Sequence, residues 1–195
     1  MSKIFYLMGK SSSGKDTIYK RIMQHEEIQL KKVVPYTTRP IREGEREGVQ
    51  YHFTDENGFK KLLDEGKVIE HRTYNTYHGE WKYFTVSEGI NPDKEDYLII
   101  GTPESYNATR KYYGEGVVVP ILIDVDDGIR LQRALKREMK QEHPKYEEMC
   151  RRFLADSKDF SDENIKACGI ERVFTNQNLD ECINEVVSYI ISMKQ

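Results

Sequence analysis

The hydrophobic positions of this chain fall into short solid runs separated by segments with a helical repeat. Ile4–Met8 is apolar throughout, the pattern of a buried strand. After Lys15, the residues Ile18, Tyr19, Ile22 and Met23 recur at helical spacing. Tyr97–Ile100 is a second apolar run ending at Gly101, and Pro103 to Tyr113 reads as a helix with proline in its first turn. Val117–Val125 predicts another buried strand. Pro120 removes one ladder donor from it, which predicts an edge-like position or a bulge. Gly128–Gln141 and Tyr146–Ser157 predict two charged helices broken at His143-Pro144. Arg172–Phe174 predicts a last strand, and Leu179, Cys182, Ile183, Val186, Val187 and Ile190 a closing amphipathic helix. Strands alternating with helices predict an α/β fold with a mainly parallel sheet covered on both faces.

Residues 34–86 break this rhythm. They are rich in Tyr, Thr, Gly, Arg and Glu, with strand-like runs at Gln50–Phe53, Val68–Tyr74 and Tyr83–Val86 and a short helix around Phe59, Leu62 and Leu63. This texture predicts a small mixed insertion in the parallel core.

Composition narrows the function classes. The 195 residues, 32% of them charged and 37% hydrophobic, suit one globular domain with insertions. No apolar run is long enough to span a bilayer, and the apolar start before Gly9 is too short for a signal peptide, so a cytoplasmic protein with no membrane partner is expected. Cys150, Cys168 and Cys182 are odd in number and widely spaced, which fits reduced thiols rather than disulfides or a metal site. A net charge of -3 argues against a general nucleic-acid binder but leaves room for a local basic site for a small polyanion.

That site has a candidate in "GKSSSGKDT", Gly9 to Thr17, placed between the first strand and the first helix. The spacing Gly9-x4-Gly14-Lys15 is that of a phosphate-binding loop, whose backbone N–H groups and following helix N-terminus wrap phosphate oxygens while the lysine supplies a mobile charge. Ser11, Ser12 and Ser13 are small loop residues. Asp16 stands where a hydroxyl is usual, with Thr17 carrying the next hydroxyl. Asp16 is a candidate Mg²⁺ ligand, directly or through water, because Mg²⁺ favours oxygen ligands and retains waters.

Three further stretches carry chemistry. Arg39 and Arg42 flank a proline in "TTRPIREGE", where guanidinium groups suit bidentate capture of a phosphate and Tyr51 offers a phenolic hydrogen bond; Glu43, Glu45 and Glu47 nearly balance the charge. Glu70 lies on a run whose alternation would place Val68, Glu70 and Arg72 on one face and Ile69 and His71 on the other. It suits reading a base edge, and its plainer role is a strand charge paired with Arg72. Arg130, Arg133 and Arg137 recur at i, i+3 and i+7 on one helix face, with Arg151 and Arg152 on the next helix. Such arginines suit a lid over phosphates, and interleaved glutamates suit a salt-bridged surface.

Taken in order, these features resemble the guanylate kinase family of P-loop nucleoside monophosphate kinases along nearly the whole chain. The resemblance rests on "GKSSSGKDT", "TTRPIREGE" with Tyr51, "GKVIEH", "LQRALKRE", "CRRFLADS" and "TNQNLDEC". It implies a P-loop core at 1–33, 87–127 and 159–195, a monophosphate-binding region at 34–86 and a helical lid at 128–158. It implies transfer of the γ-phosphate of ATP-Mg to GMP. Gly9, Ser11, Ser12, Ser13, Gly14, Lys15, Asp16 and Thr17 would bind ATP, with Asn176 near the adenine. Arg39, Arg42, Tyr51, Glu70 and Tyr77 would bind the monophosphate, and Lys15, Arg133, Arg137 and Arg152 would be catalytic.

The chain departs from the family pattern at Pro35 and Tyr36, where small polar residues are usual, at His78, and at Gly101 and Pro103, where carboxylates are usual. These departures fall on the base and metal side of the acceptor site and leave the phosphate side intact. They keep open a kinase for a deoxy- or modified nucleotide, or a non-catalytic binding module of the same fold.

Overall fold

The computed structural model describes residues 2–42, 44–76 and 79–194. In chain order the elements begin β1 (Ile4–Met8), α1 (Lys15–Met23), β2 (Lys31–Lys32), β3 (Tyr36–Thr37), β4 (His52–Phe53) and α2 (Glu56–Asp64). They continue β5 (Val68–Thr76), β6 (Gly79–Val86), β7 (Tyr97–Gly101), α3 (Pro103–Tyr113), β8 (Val118–Asp124) and α4 (Asp127–Glu138). The last are α5 (Tyr146–Asp159), α6 (Asp162–Ala167), β9 (Val173–Thr175) and α7 (Leu179–Lys194).

Because β1 is apolar at every position, it can be buried on both faces, and it lies at the centre of a parallel sheet ordered β2-β7-β1-β8-β9. Phe5 and Leu7 point into one layer with Ile18, Ile22, Val186 and Ile190 from α1 and α7. Ile4, Tyr6 and Met8 point into the other with Tyr106 of α3 and Phe160. Each large apolar side chain so buried stabilises the fold by about 1.5–3 kcal/mol relative to exposure.

Pro120 corrects one expectation. Its strand, β8, is interior rather than at an edge, and the register with β1 runs unbroken from Ile4↔Val118 to Met8↔Leu122, without a bulge. The missing donor is tolerated because β9 pairs only with Leu122 to Asp124, so Pro120 has no ladder partner on that side.

A second sheet, ordered β4-β3-β6-β5, forms the insertion. Phe59 of α2 packs there with Phe84 and Val86, joined by Tyr36, Leu62 and Val68. Tyr36 therefore departs from a small polar residue because it fills this core: its ring stacks on Phe84 with centroids 5.3 Å apart. The strand β5 also corrects the simple alternation. Val68 pairs with Val86 but Glu70 pairs with Thr85, so Ile69 is an extra residue in a bulge. Val68 consequently shares its face with His71, which tilts against Phe59, while Glu70 and Arg72 occupy the opposite face. Bulges commonly re-aim side chains beside active sites.

Among the described residues no helix is long and apolar enough to cross a membrane. All three cysteines are free.

Candidate active site

The loop from Gly9 to Gly14 joins the buried end of β1 to the first turn of α1. Its glycines are dictated by close approach. A Cβ on Gly9 would lie 2.7 Å from Ser13 Oγ and 2.8 Å from the Ile123 carbonyl. Gly14 has φ +92 and a Cβ there would run into the Asn176 amide. Ser12 also takes a left-handed backbone, φ 63, which is uncommon for a residue with a side chain. The hydroxyls of Ser12 and Ser13 are buried and have no hydrogen-bond partner among the described residues. No side chain caps α1 at Gly14. Unpaired polar groups at a helix N-terminus form a cradle for an anion.

Lys15 reaches out of this cradle, with Nζ 3.9 Å from Asp16 Oδ1. A cleft of about 190 Å³ opens here, walled by Ser12 and Gly14 to Thr17 on one side and by Arg133 and Arg137 on the other. The structure thus brings the loop lysine and two of the expected lid arginines together. Arg152 lies in an adjoining crevice with Ser11 and Arg137. Its Nε is buried, 3.6 Å from Glu148 and beyond hydrogen-bond reach.

Two members of the loop's support were not legible in the sequence. Arg130 shares a helix with Arg133 and Arg137, but it is buried against the loop instead of facing the cleft. Its guanidinium donates to Asp127 Oδ1 at 2.9 and 2.7 Å and to the Ser11 carbonyl at 3.1 Å, and its plane lies over the Phe153 ring. Asp156 on α5 accepts from the Ser11 N–H at 2.7 Å. The Asp127 carboxyl is held below its ordinary value chiefly by the Arg130 hydrogen bonds, with Lys10 adding to them. Asn176 is buried beneath the loop. Its backbone N–H donates to the Asp124 carbonyl and its amide to the Ser13 carbonyl, each at 2.7 Å, so β9 braces the loop.

The residues expected to hold the acceptor gather on the insertion sheet and its loops. Arg39 is buried, and its guanidinium grips both oxygens of Glu45 at 2.7 and 2.6 Å. Burial works against the charge on Arg39, and the Glu45 hydrogen bonds offset it, so the group is held more firmly protonated than usual. The same ring of groups includes Tyr51, whose ring lies 5.0 Å from the Arg39 guanidinium carbon. The Glu45 carboxylate occupies Arg39 in the planar, two-point manner in which arginine holds a phosphate. Arg42 is exposed beside it, and its backbone N–H donates to Glu45. Tyr77 lies outside the described residues. Tyr83 of β6 stands beside Tyr51, with ring centroids 5.6 Å apart, and is a phenol on this face that spacing alone did not single out.

Glu70 sits deeper, 8% exposed. It accepts from the Thr85 hydroxyl at 2.7 Å and from Arg72 Nε at 3.2 Å, so the plain pairing with Arg72 does form. Arg72 continues to the Thr102 hydroxyl at 3.0 Å, which links the insertion to the core. The acid-poor end of β7 has a packing reason. A Cβ on Gly101 would run into the Tyr6 ring and hydroxyl, and Thr102 and Ser105 form a capping box that starts α3 with Pro103 in its first turn. Burial pushes the Tyr6 hydroxyl up to about 12, so it stays protonated there.

The donor set suits magnesium that arrives with a nucleotide. Among the described residues no three His, Cys, Asp or Glu side chains cluster as a metal cage. Asp16 and Thr17 are exposed at the cleft. Magnesium is commonly held by one or two carboxylates together with substrate phosphates and water.

The family model described as guanylate kinase matches residues 1–193. A guanylate kinase of Mycoplasma genitalium is 31% identical over 196 residues, spanning 97% of this chain and 75% of the relative. One of Caldanaerobacter subterraneus is 29% identical over 192 residues, spanning 98% and 87%. Among solved structures, a guanylate kinase of Anaplasma phagocytophilum superposes with a TM-score of 0.68 at 23% identity, covering all of this chain and 87% of the other.

Proposed function

The chain belongs to the guanylate kinase family, and from that premise we propose that it transfers the γ-phosphate of ATP to GMP, releasing ADP and GDP. The observation that carries the reading is the cleft in which Lys15 faces Arg133 and Arg137 above an anion cradle.

Phosphoryl transfer needs little covalent chemistry from the protein; it needs positioning and positive charge around the migrating group. In the proposed reaction an oxygen of the acceptor phosphate forms a bond to the γ-phosphorus. The bond from that phosphorus to the β–γ bridging oxygen breaks, and its electron pair leaves with ADP. Gly14, Ser12 and Ser13 would hold the β-phosphate by backbone and hydroxyl groups, with Gly9 allowing the loop to fold so tightly and Ser11 anchoring it. Lys15 would span the β- and γ-phosphates. Arg133, Arg137 and Arg152 would close over the γ-phosphate as charge spreads onto its oxygens. Asn176 would fix the loop from below at the base end of the ATP site.

Arg39, Arg42, Tyr51 and Tyr83 would hold the acceptor phosphate, the guanidinium of Arg39 exchanging Glu45 for the substrate's oxygens. Glu70 would accept from the N–H groups of guanine. Asp16 and Thr17 are the residues that would hold Mg²⁺, directly or through water, and the ion would neutralise charge on the phosphates.

The test is an acceptor panel. ADP release from ATP-Mg is measured with GMP, AMP, CMP, UMP and their deoxy forms. GMP is expected to give the highest kcat/KM, and a higher value for any other acceptor would displace it.

A further inference from the structure

The bulge at Ile69 leaves Glu70 and Arg72 on the same polar face, 3.2 Å apart between Oε2 and Nε. Their chemistry is complementary. Glu70 can only accept hydrogen bonds and Arg72 can only donate them. Guanine shows the matching set on its edge: the O6 carbonyl accepts, while N1–H and the 2-amino group donate. Glu70 alone answers only the donors, so something must supply a donor to O6.

Pro35, where a small polar residue is usual, cannot do so. It has no N–H and no polar side chain, and its carbonyl accepts from the His52 N–H at 2.9 Å. Tyr36 turns to the other face and packs on Phe84. Arg72 is the cation that touches Glu70. It is 13% exposed and fixed at two points, Glu70 on one side and the Thr102 hydroxyl on the other. Burial works against its charge, and the groups facing it, the Glu70 carboxylate first, together more than offset it, so Arg72 is held more firmly protonated than free arginine. A guanidinium that donates to O6 and N7 is the commonest specific contact that proteins make to guanine in DNA.

The geometry points to Arg72 as a specificity-determining residue that donates to the guanine O6 while Glu70 accepts from N1–H and the 2-amino group. The inference rests on the guanylate reading of the acceptor site. Adenine reverses the pattern at positions 6 and 1, placing an amino group against the guanidinium and a lone pair against the carboxylate. Sites that leave buried polar groups unpaired reject such analogues strongly.

The test uses the full-length enzyme, ATP-Mg and three acceptors: GMP, IMP, which keeps O6 and N1–H but lacks the 2-amino group, and 2,6-diaminopurine riboside monophosphate. The last keeps the 2-amino group but carries an amino group in place of O6 and a lone pair in place of N1–H, so that Arg72→Met removes only the O6 share of its rejection. Arg72→Met is expected to lower the GMP-to-diaminopurine ratio of kcat/KM by about 10–100-fold, mostly through KM for GMP. The GMP-to-IMP ratio, read by Glu70, is expected to change little. Arg72→Lys keeps a charge beside Glu70 without the planar fork and is expected to retain part of the discrimination. It carries the test if Arg72→Met shows no cooperative melting. An unchanged GMP-to-diaminopurine ratio in a folded variant would overturn the role of Arg72 alone. Absence of turnover of any purine monophosphate by the unmodified enzyme would overturn the guanylate reading itself.

Discussion

Arg130 and Asp156 stand 3.6 Å apart and between them take both backbone polar groups of Ser11. One comes from α4 and the other from α5, so the loop residue is clamped between these two helices by opposite charges. The Arg130 side chain is fully buried and Asp156 is half-buried. Removing one member of a buried charged set leaves the other without compensation.

Asp156→Ala should therefore destabilise the protein by about 1.5–3 kcal/mol, a fall of about 3–12 °C in Tm for a chain of this size. It should also slow turnover, because the Ser11 N–H loses its acceptor and the loop its fixed position. Arg130→Met should cost more, since Asp127 and Asp156 both lose a partner. The double variant should cost less than the sum, which calorimetry on the four proteins measures.

The sequence showed the parts of the fold that bury large apolar runs, and it missed what charge and short range decide. The strands β1 and β7 and the helices α1, α3 and α7 follow from solid runs and helical repeats. The edge strand β2 is Lys31–Lys32, with no hydrophobic signal to announce it. The outer end of the β5–β6 hairpin pairs Asn75 with Glu80 and Thr76 with Gly79, with no apolar run to mark it, so its strands run past Tyr74 and begin before Tyr83. In the candidate site, the bulge at Ile69 that sets the Glu70 face left no mark in the alternation. The loop from Gly9 to Thr17 was legible as a turn between strand and helix because its glycines and lysine form a dense local motif. The clamp on Ser11 was not, because Asp156 and Ser11 lie 145 residues apart. The ladder of arginines at i, i+3 and i+7 hid the fact that Arg130 turns inward while Arg133 and Arg137 line the cleft.

Lys15→Ala is expected to reduce kcat/KM by at least about 100-fold. Its only described ion pair is the 3.9 Å contact with Asp16, so the melting temperature should move little. Steady-state ADP release and a thermal melt on the same sample check both halves. Near-normal turnover would remove the loop from the mechanism.

Stability should fall in acid through Glu45. Hydrogen bonds from Arg39 hold its carboxyl below the ordinary value of 4.5. A depressed folded value means that the contribution is complete above the ordinary value and is lost as pH falls through the lower folded one. Glu45→Gln should thus be less stable than the unmodified protein by about 1–3 kcal/mol at pH 7. The gap should hold down to about pH 5.5 and close below 4.5. Melting temperatures of both proteins against pH measure it, and a gap that persists unchanged into strong acid would contradict the assignment.

Asp16→Ser tests the carboxylate beside the phosphates. The Mg²⁺ concentration for half-maximal rate is expected to rise about tenfold, with most of the rate recovered at saturating Mg²⁺. A rate and Mg²⁺ dependence that both stay as before would mean that Asp16 is merely tolerated beside Lys15.

The most direct test of the central claim is product identity. The purified protein is incubated with ATP, Mg²⁺ and GMP, and the nucleotides are separated and quantified over time. The account predicts ADP and GDP formed in equal amounts, with no ADP above background when GMP is left out. ADP without GDP, or neither product from a folded protein that binds ATP, would contradict it.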